Sequence, residues 1–297
     1  MSLLERVLAC RRHDMAGLLP FEVGGERYGW VRAALAGELA GLAHSPFLLR
    51  GEVLALHPAL ATPALRTQAV EACLEALRAQ GRLPAWRGER YAVVRAWGAP
   101  EALQVERAAA AWLGVRAFGV HVNGWVRGAR GPLLWVARRS RTKAAYPGKL
   151  DHLVAGGQPA GLTLRENLAK EAMEEAGVPA ALAAQAVGTA PFRYRLLTPE
   201  GLRDDTVFTY DLELPASFVP QAHDGEVEQF RLVPAEEVAA MLRAGDEFKS
   251  NVGPVILGFL LRQGVVGESD PERGALLREL GEQVLRPEVP EDEAALA

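Results

Sequence analysis

Residues 156–178, GGQPAGLTLRENLAKEAMEEAGV, form the stretch that decides the fold of this chain. The pattern predicts a glycine-rich loop, then a helix that begins after Thr163 and ends at Gly177. Thr163 and Glu166 have the spacing of a capping box, in which each side chain accepts a hydrogen bond from the backbone N–H of the other residue. Gly177 suits the left-handed position that ends a helix, and Pro179 prevents the helix from resuming.

Three carboxylates share one face of this predicted helix, because Glu171, Glu174 and Glu175 stand at positions i, i+3 and i+4. Like charges one turn apart repel each other, so a countercharge is expected. A hard divalent cation, which prefers oxygen ligands, would supply it. A glutamate-rich run is also typical of a plain solvated helix face. The glycine loop, the capping box and the Lys170–Glu171 pair favour the metal site. A neighbouring apolar stripe can dock on a sheet; it contains Leu168, Ala169, Ala172, Met173 and Ala176.

The stretch resembles the Nudix box, whose pattern is Gly, five residues, Glu, seven residues, then Arg-Glu-apolar-any-Glu-Glu-any-Gly-apolar. Gly156 fills the first position. The later positions are filled by Glu171, Ala172, Glu174, Glu175, Gly177 and Val178. Leu162 stands where the first glutamate belongs, and Lys170 stands where the arginine belongs. In the family, that glutamate and arginine help to hold the loop against the helix, and both are replaced here.

The resemblance implies an α/β fold, the Nudix α/β/α sandwich with a mixed sheet, and Mg²⁺ or Mn²⁺ bound beside a diphosphate. The metal ligands carried over by position are Glu171, Glu174 and Glu175. The predicted catalytic residues, one of which would act as the base, are Glu174, Glu175 and Glu226. Family members often add a carboxylate from a later loop. Glu226 and Glu228 flank one residue of a predicted strand, so only one can face the site, and Glu226 at the loop–strand junction is favoured.

Substrate contacts are predicted just before the box and in its loop. A basic cluster contains Arg138, Arg139, Arg141 and Lys143, and we expect Arg138 or Lys143 to contact phosphate. Such a run is also typical of a solvated strand edge. The loop glycines Gly156 and Gly157 are assigned to substrate binding. Three aromatic side chains could stack on a substrate ring, although core packing is the default expectation for each of them; they are Tyr146, Phe192 and Tyr194.

The wider context, residues 135–161, 165–179 and 192–215, resembles the Nudix branch found ahead of some thiamine pyrophosphokinases. That resemblance implies hydrolysis of thiamine diphosphate, or of damaged forms such as oxothiamine or oxythiamine diphosphate, to the monophosphate and phosphate. Leu162 and Lys170 keep open a ligand-binding or regulatory module without hydrolysis, and a hydrolase of nucleoside diphosphate derivatives is a further alternative. An isopentenyl diphosphate isomerase is disfavoured, because it needs a catalytic cysteine and both Cys10 and Cys73 lie outside the Nudix half.

The order of the predicted elements divides the chain into three parts. Residues 1–113 are predicted to form a smaller α+β domain, residues 114–267 the Nudix domain, and residues 268–297 a C-terminal helix and acidic tail. Within the first part, residues 103–112 are predicted to be helical. The N-terminal part is expected either to shape the pocket or to mediate dimerisation, which leaves a homodimer open.

Composition excludes several classes of protein. The formal net charge of −4 argues against a general nucleic-acid binder. The two cysteines form no metal-binding or disulfide pattern and fit a reducing compartment. No signal-peptide pattern is present at the N-terminus, and no apolar run reaches the roughly 18 residues of a membrane span. We therefore expect a cytoplasmic protein that acts on a small-molecule diphosphate.

Overall fold

Mixed helices and strands build the chain in the computed structural model, which describes residues 1–83, 86–142, 145–222 and 225–287. Two short 3-10 turns cover Arg107–Ala109 and Glu282–Leu285. In chain order, the other elements are α1 (Leu3–Ala9), β1 (Leu18–Val23), β2 (Glu26–Arg32), α2 (Ala33–Gly41), β3 (Phe47–Arg50), β4 (Val53–Leu56), α3 (Pro63–Ala79), β5 (Arg90–Val93), β6 (Leu103–Glu106), α4 (Ala110–Leu113), β7 (Arg116–Gly128), β8 (Gly131–Arg139), β9 (Leu150–Asp151), β10 (Val154–Gly157), α5 (Leu164–Ala176), α6 (Ala180–Ala183), β11 (Val187–Leu197), β12 (Leu202–Glu213), β13 (Val227–Pro234), α7 (Ala235–Ala244), α8 (Val252–Arg262) and α9 (Arg273–Leu280).

The N-terminal part is an α+β unit with its own core. Its four-stranded sheet has the order β2-β1-β4-β3, with β1 and β4 parallel, and β5 and β6 form a separate antiparallel pair. The prediction of a helix over residues 103–112 is wrong for its first half. Leu103 and Val105 are buried by the pairing of β6 with β5, so alternation rather than helical spacing governs this segment. The α-helix α4 starts only at Ala110 and ends at the left-handed Gly114.

The C-terminal part is the predicted α/β/α sandwich around a mixed sheet. The strand path is β11-β12-β7-β8-β13, with β10 paired to β7 and β9 paired to β8. Strands β12 and β7 run parallel and the other pairs run antiparallel. Apolar residues of α5 and α6 pack with one group of sheet residues, and those of α7 and α8 pack with another. The fold class expected from the sequence is therefore confirmed.

The first helix of the chain packs with the C-terminal sandwich and not with the N-terminal core. Leu3 and Val7 of α1 are fully buried in the cluster that contains α8, and α1 also contacts α7 and α9. The Arg6 guanidinium adds a hydrogen bond of 2.9 Å to the carbonyl of Leu242. The two ends of the described chain thus meet on one face of the sandwich. The domain division at 113/114 and 267/268 stays a prediction.

Two remaining predictions concern membrane-spanning helices and the C-terminal segment. Within the part of the chain that the structure describes, no helix is long and apolar enough to cross a membrane. The C-terminal helix is α9. The acidic tail at residues 288–297 lies outside the described residues.

Candidate active site

Helix α5 forms as its sequence predicts. The Thr163 hydroxyl accepts from the N–H of Glu166 at 3.2 Å, and the Glu166 carboxylate accepts from the N–H of Thr163 at 2.9 Å. Gly177 ends the helix in the left-handed region with φ 63°. Leu164, Leu168, Ala172 and Ala176 are buried with residues of the sheet. On the neighbouring face, Glu171 and Glu175 are half-buried and Glu174 is exposed.

Two hydrogen bonds hold the glycine loop and its strand against this helix, and a third lies within the loop. The Asn167 side-chain amide donates to the carbonyl of Gly157 at 2.8 Å, and the Gln158 amide donates to the carbonyl of Leu162 at 2.7 Å. The Ala155 N–H donates to the carboxylate of Glu175 at 2.8 Å. Asn167 was not singled out from the sequence, although an amide among apolar helix positions is a usable signal.

A charged pocket of about 310 Å³ opens beside the loop and α5. Its acidic side chains are Glu89, Glu171, Glu175 and Glu226. Its basic side chains are Arg87, Arg107, Arg139, Arg203 and Lys249. Carboxylate oxygens suit a hard divalent cation, and arginine and lysine suit phosphate oxygens. The pocket therefore offers both halves of the chemistry that a metal–diphosphate complex requires.

The predicted glutamates divide into inner and outer positions. Glu171, Glu175 and Glu226 line the pocket, whereas Glu174 does not. The Glu174 side chain is 50% exposed and pairs with the Lys170 ammonium at 3.0 Å, which also lies 2.9 Å from Glu171. Lysine at this box position thus places a cation between two of the predicted metal ligands.

The choice between Glu226 and Glu228 follows from the edge of β13. The backbone carbonyl of Glu226 accepts from the N–H of Ser140, which places this residue beside the end of β8, and Glu226 lines the pocket. The Glu228 carboxylate instead accepts from the N–H of Arg141 at 2.8 Å on the exposed side. The structure thus brings Glu226, the favoured residue, to the other pocket carboxylates.

The basic residues of β8 also divide between two positions. Arg139 lines the pocket, and its guanidinium is 2.8 Å from the Asp151 carboxylate. Arg138 does not line the pocket, and its guanidinium donates to the carbonyl of Gly148 at 2.8 Å. Neighbouring strand residues point to opposite faces, and the sequence did not reveal which face carried the site. Lys143 lies outside the described residues.

The two loop glycines take different places. Gly156 lines the charged pocket, and a Cβ there would collide with the side chain of Glu171. Gly157 lines a smaller neighbouring cavity, where a Cβ would collide with the hydroxyl of Tyr91. Both positions therefore require the absence of a side chain for close approach.

Burial, assisted by neighbouring carboxylates, changes the proton affinity of the inner glutamates. Burial raises the pKa of Glu175 to about 8, and the hydrogen bond from the Ala155 N–H opposes this shift. The carboxylates of Glu171, Asp151 and Glu226 add to it. Burial also raises the pKa of Glu171, against the effect of Lys170. A cation at this place would favour the ionised form of both groups.

The donor set fits a divalent metal ion by its chemistry. Glu171, Glu175 and Glu226 supply only oxygen ligands. Their carboxylates repel one another, so a positive charge among them would be stabilising. Among the residues described, no three histidine, cysteine, aspartate or glutamate side chains already converge as a metal site. The residues that would hold the ion therefore stand around one pocket rather than in a closed cage.

A buried polar layer, formed by Asp151, His152 and Lys249, adjoins the pocket. The Asp151 carboxylate lies 2.8 Å from Arg139 and 3.5 Å from the Lys249 ammonium, and all three side chains are at least 86% buried by area. Burial alone would raise the pKa of Asp151, but the cationic Lys249 and Arg139 hold it well below its ordinary value. His152 packs on His121 with ring centroids 4.9 Å apart. Burial lowers the pKa of His152 to about 4, so this imidazole is neutral at physiological pH.

A second chamber of about 420 Å³ adjoins the charged pocket and has more apolar walls. The two share Arg87, Arg107, Tyr146 and Arg203 among their lining residues. Of the aromatic candidates, Tyr146 lines both spaces. Phe192 and Tyr194 are buried and stack on each other with centroids 6.0 Å apart, as the core-packing expectation has it.

Comparison with known proteins identifies the family. Residues 117–254 match the NUDIX domain, and residues 2–117 match a domain of unknown function, DUF4743. Nudix hydrolase 24, chloroplastic, of Arabidopsis thaliana is 37% identical over 280 residues, which cover 93% of this chain and 77% of that protein. The chain belongs to the Nudix hydrolase family. It is accordingly an enzyme of the pyrophosphatase and hydrolase class, and Nudix hydrolases generally use divalent metal ions.

Two further proteins are similar to this chain. Nudix hydrolase 20, chloroplastic, also of Arabidopsis thaliana, is 42% identical over 207 residues, which cover 70% of this chain and 55% of that protein. A solved structure from Deinococcus radiodurans, DR0079, is 25% identical, covers 57% of this chain and 98% of that one, and has a TM-score of 0.44. The Nudix part of the predicted resemblance is confirmed, while the thiamine pyrophosphokinase branch and the homodimer stay predictions.

The expectation of a cytoplasmic protein is corrected by the same relatives. Both plant Nudix hydrolases are named as chloroplastic. The sequence argument rested on the absence of recognisable targeting patterns, and an absence of that kind does not specify a compartment.

Proposed function

We propose that this Nudix hydrolase cleaves the diphosphate of thiamine diphosphate, or of damaged forms such as oxothiamine or oxythiamine diphosphate, to the monophosphate and phosphate. We further propose that it does so with Mg²⁺ or Mn²⁺. The observation that carries the proposal is the charged pocket, which Glu171, Glu175 and Glu226 line together with basic side chains.

The proposed metal site uses the inner glutamates, with Glu174 as an outer ligand. Glu171, Glu175 and Glu226 would hold the ion, and Glu174 would join them if Lys170 turned toward the phosphates. A bound divalent ion neutralises charge on the phosphate oxygens. Lys170 supports this exchange because its ammonium already bridges Glu171 and Glu174.

The basic side chains hold the diphosphate in the proposed complex. Arg139 and Lys249 reach the pocket from the buried polar layer, where Asp151 fixes both. Arg203 reaches it from the start of β12. Fixed cationic groups can orient two phosphates against an attacking water without reorganisation during the reaction.

The proposed base is Glu175. Water attacks one phosphorus, a new P–O bond forms, the bridging P–O bond breaks, and the water proton passes to the carboxylate. The Glu175 carboxylate lines the pocket together with Glu171 and Glu226, so it can accept this proton in its ionised form. Glu226 supports the same step from the opposite wall.

The second chamber supports the thiamine-type assignment over a nucleotide. Beyond the shared residues, it presents Tyr91, Glu200 and Asp205 among small apolar side chains. The Tyr91 ring suits stacking on a flat heterocycle, and the Glu200 carboxylate suits a positive charge such as that of the thiamine ring, whereas Asp205 is already paired with Arg203 at 3.4 Å. A nucleobase lacks that charge at neutral pH.

A substrate screen tests this proposal. Phosphate release is measured with Mg²⁺ or Mn²⁺ for thiamine diphosphate, oxothiamine diphosphate, oxythiamine diphosphate, ADP, ADP-ribose and UDP-glucose. We expect a thiamine-type diphosphate to give the highest kcat/KM. A clear preference for a nucleotide would overturn the thiamine assignment. Tight metal-dependent binding with no product from any compound would instead favour the non-hydrolytic module.

A further inference from the structure

The pocket described above is not built by the Nudix fold alone. Arg87, Glu89 and Arg107 come from the segment around β5 and β6, in the part that matches a domain of unknown function. Tyr91, Ala108 and Ala111 from the same part line the second chamber. We refer to the side chains of residues 87–111 that face these spaces as the N-terminal wall.

The N-terminal wall is held in place by its own contacts. The Glu106 carboxylate accepts from the N–H groups of Arg87 at 2.8 Å and Gly88 at 3.1 Å, which anchors the loop before β5. The Arg107 guanidinium pairs with Glu89 at 2.9 Å and lies over the Tyr91 ring at 5.8 Å. The loop, the strand and the 3-10 turn therefore present one connected charged surface.

Close backbone contacts join the N-terminal wall to the Nudix part on both sides of the chamber. The Ala160 N–H, in the box loop, donates to the carbonyl of Arg90 at 2.8 Å. On the other side, a Cβ at Gly201 would collide with the carbonyl of Ala111, and the φ of 151° at Gly201 also favours glycine. The N-terminal wall and the Nudix part approach each other as closely as residues in a packed interior, so the chamber has a defined shape.

The two spaces differ in what they can hold. Opposing charges surround the pocket beside α5, and small side chains such as Ala108 and Ala111 surround the chamber next to it. A diphosphate ester that places its phosphates in the first space must place its organic group in the second. The N-terminal wall then contacts both portions of the same molecule.

We propose that the N-terminal wall is the specificity element of this enzyme. Arg107 binds a phosphate of the substrate, and the surface formed by Tyr91, Ala108 and Ala111 selects the organic group attached to the diphosphate. This inference rests on the proposed function for the location of the phosphates. It adds a role for a part of the chain that the Nudix fold leaves without one.

The test separates the organic group from the diphosphate by using two ligands that cannot be hydrolysed at the bridge. Methylenediphosphonate carries no organic group, and the methylene analogue of thiamine diphosphate carries the full one. Their dissociation constants are measured by calorimetry on the full chain with Mg²⁺. Binding does not depend on turnover, so a failed hydrolysis screen would not decide this experiment.

Ala108→Phe fills the chamber and should discriminate between the two ligands. We expect it to weaken binding of the thiamine analogue about tenfold or more and to leave methylenediphosphonate within about twofold, because mismatched pocket volume has effects of this size. Ala79→Phe adds the same ring at an exposed position of α3 and should change neither constant. Ala108→Leu is a milder variant if the phenylalanine impairs folding.

Arg107→Ala should instead weaken both ligands about tenfold, because both carry the phosphates. Arg90→Ala is the matched control, since Arg90 forms a similar ion pair with Glu71 on the same unit but faces away from the pocket. Unchanged constants for both ligands in folded Ala108→Phe and Arg107→Ala would overturn the inference. Equal weakening of both ligands by Ala108→Phe would overturn the assignment of the chamber to the organic group.

Discussion

The two walls of the active site are built in opposite ways. The box wall, formed by the glycine loop and α5, stands on the buried layer of Asp151, Lys249 and His152. The N-terminal wall rests on an ion pair whose arginine and glutamate side chains are 44% and 22% exposed. Buried charges in fixed contacts preorganise a site for chemistry. Exposed pairs are screened by water and contribute less to stability.

Removing Asp151 should cause the largest loss of stability. Asp151→Asn leaves Lys249 and Arg139 without their buried partner, which we expect to lower the free energy of unfolding by about 3–5 kcal/mol. Glu89→Gln breaks an exposed pair on the N-terminal wall and should lower it by less than about 1 kcal/mol. Urea unfolding measures both values, and similar losses would contradict the contrast between the walls.

The second prediction sharpens which carboxylate of β13 belongs to the pocket. Glu226→Gln should lower kcat for the best substrate roughly 10²-fold, as expected for a group close to the reacting atoms. Glu228→Gln, on the exposed side of the strand, should leave kcat within about twofold. Steady-state phosphate release decides between them, and the reverse order would assign the site to Glu228.

The third prediction concerns the loss of stability at acidic pH that is linked to His152. The folded pKa of His152, about 4, lies below the unfolded value of 6.5, so the unfolded chain binds more protons between these limits. The stability linked to His152 is therefore complete above about pH 6.5 and is lost as the pH falls toward 4. Glu175 has a raised pKa and contributes with the opposite sign over part of this range, so a variant comparison is needed.

That comparison uses His152→Gln, which retains Glu175. Between pH 7 and pH 5, the wild-type protein should lose more unfolding free energy than the variant, by on the order of 1–2 kcal/mol. Urea midpoints at the two pH values provide the measurement. An equal loss in both proteins would show that this imidazole does not titrate as the buried layer requires.

The smallest expected effect concerns the hydrogen bond from the Asn167 side chain to the glycine loop. Asn167→Ala removes the amide that donates to the carbonyl of Gly157, which should lower the free energy of unfolding by about 1 kcal/mol. It should also raise KM, because Gly157 and Gly156 then lose their support. Gln185→Ala, which removes a side-chain bond on the exposed helix α6, is the control. An unchanged KM would show that this hydrogen bond does not support substrate binding.

The box wall could be read from the sequence because its signals are local. The capping box at Thr163, the left-handed Gly177 and the glutamate spacing depend on residues that are near neighbours in the chain. The N-terminal wall could not, because Arg107 meets the pocket only through tertiary packing. The strand at residues 103–106 shows the same limit, since its pairing with β5 overrides a helical composition. Arg139 was in the predicted cluster, but strand alternation alone does not tell which neighbour faces the site.

The most direct measurement of the central claim compares two glutamates of α5. Glu175 lines the charged pocket, whereas Glu166 belongs to the capping box at the exposed start of the helix. Mg²⁺-dependent phosphate release is measured for Glu175→Gln and Glu166→Gln with thiamine diphosphate or the best substrate of the screen. We predict a loss of roughly 10³-fold in kcat for Glu175→Gln, and little change for Glu166→Gln, because glutamine retains the cap. Undiminished turnover by a folded Glu175→Gln protein would contradict the account.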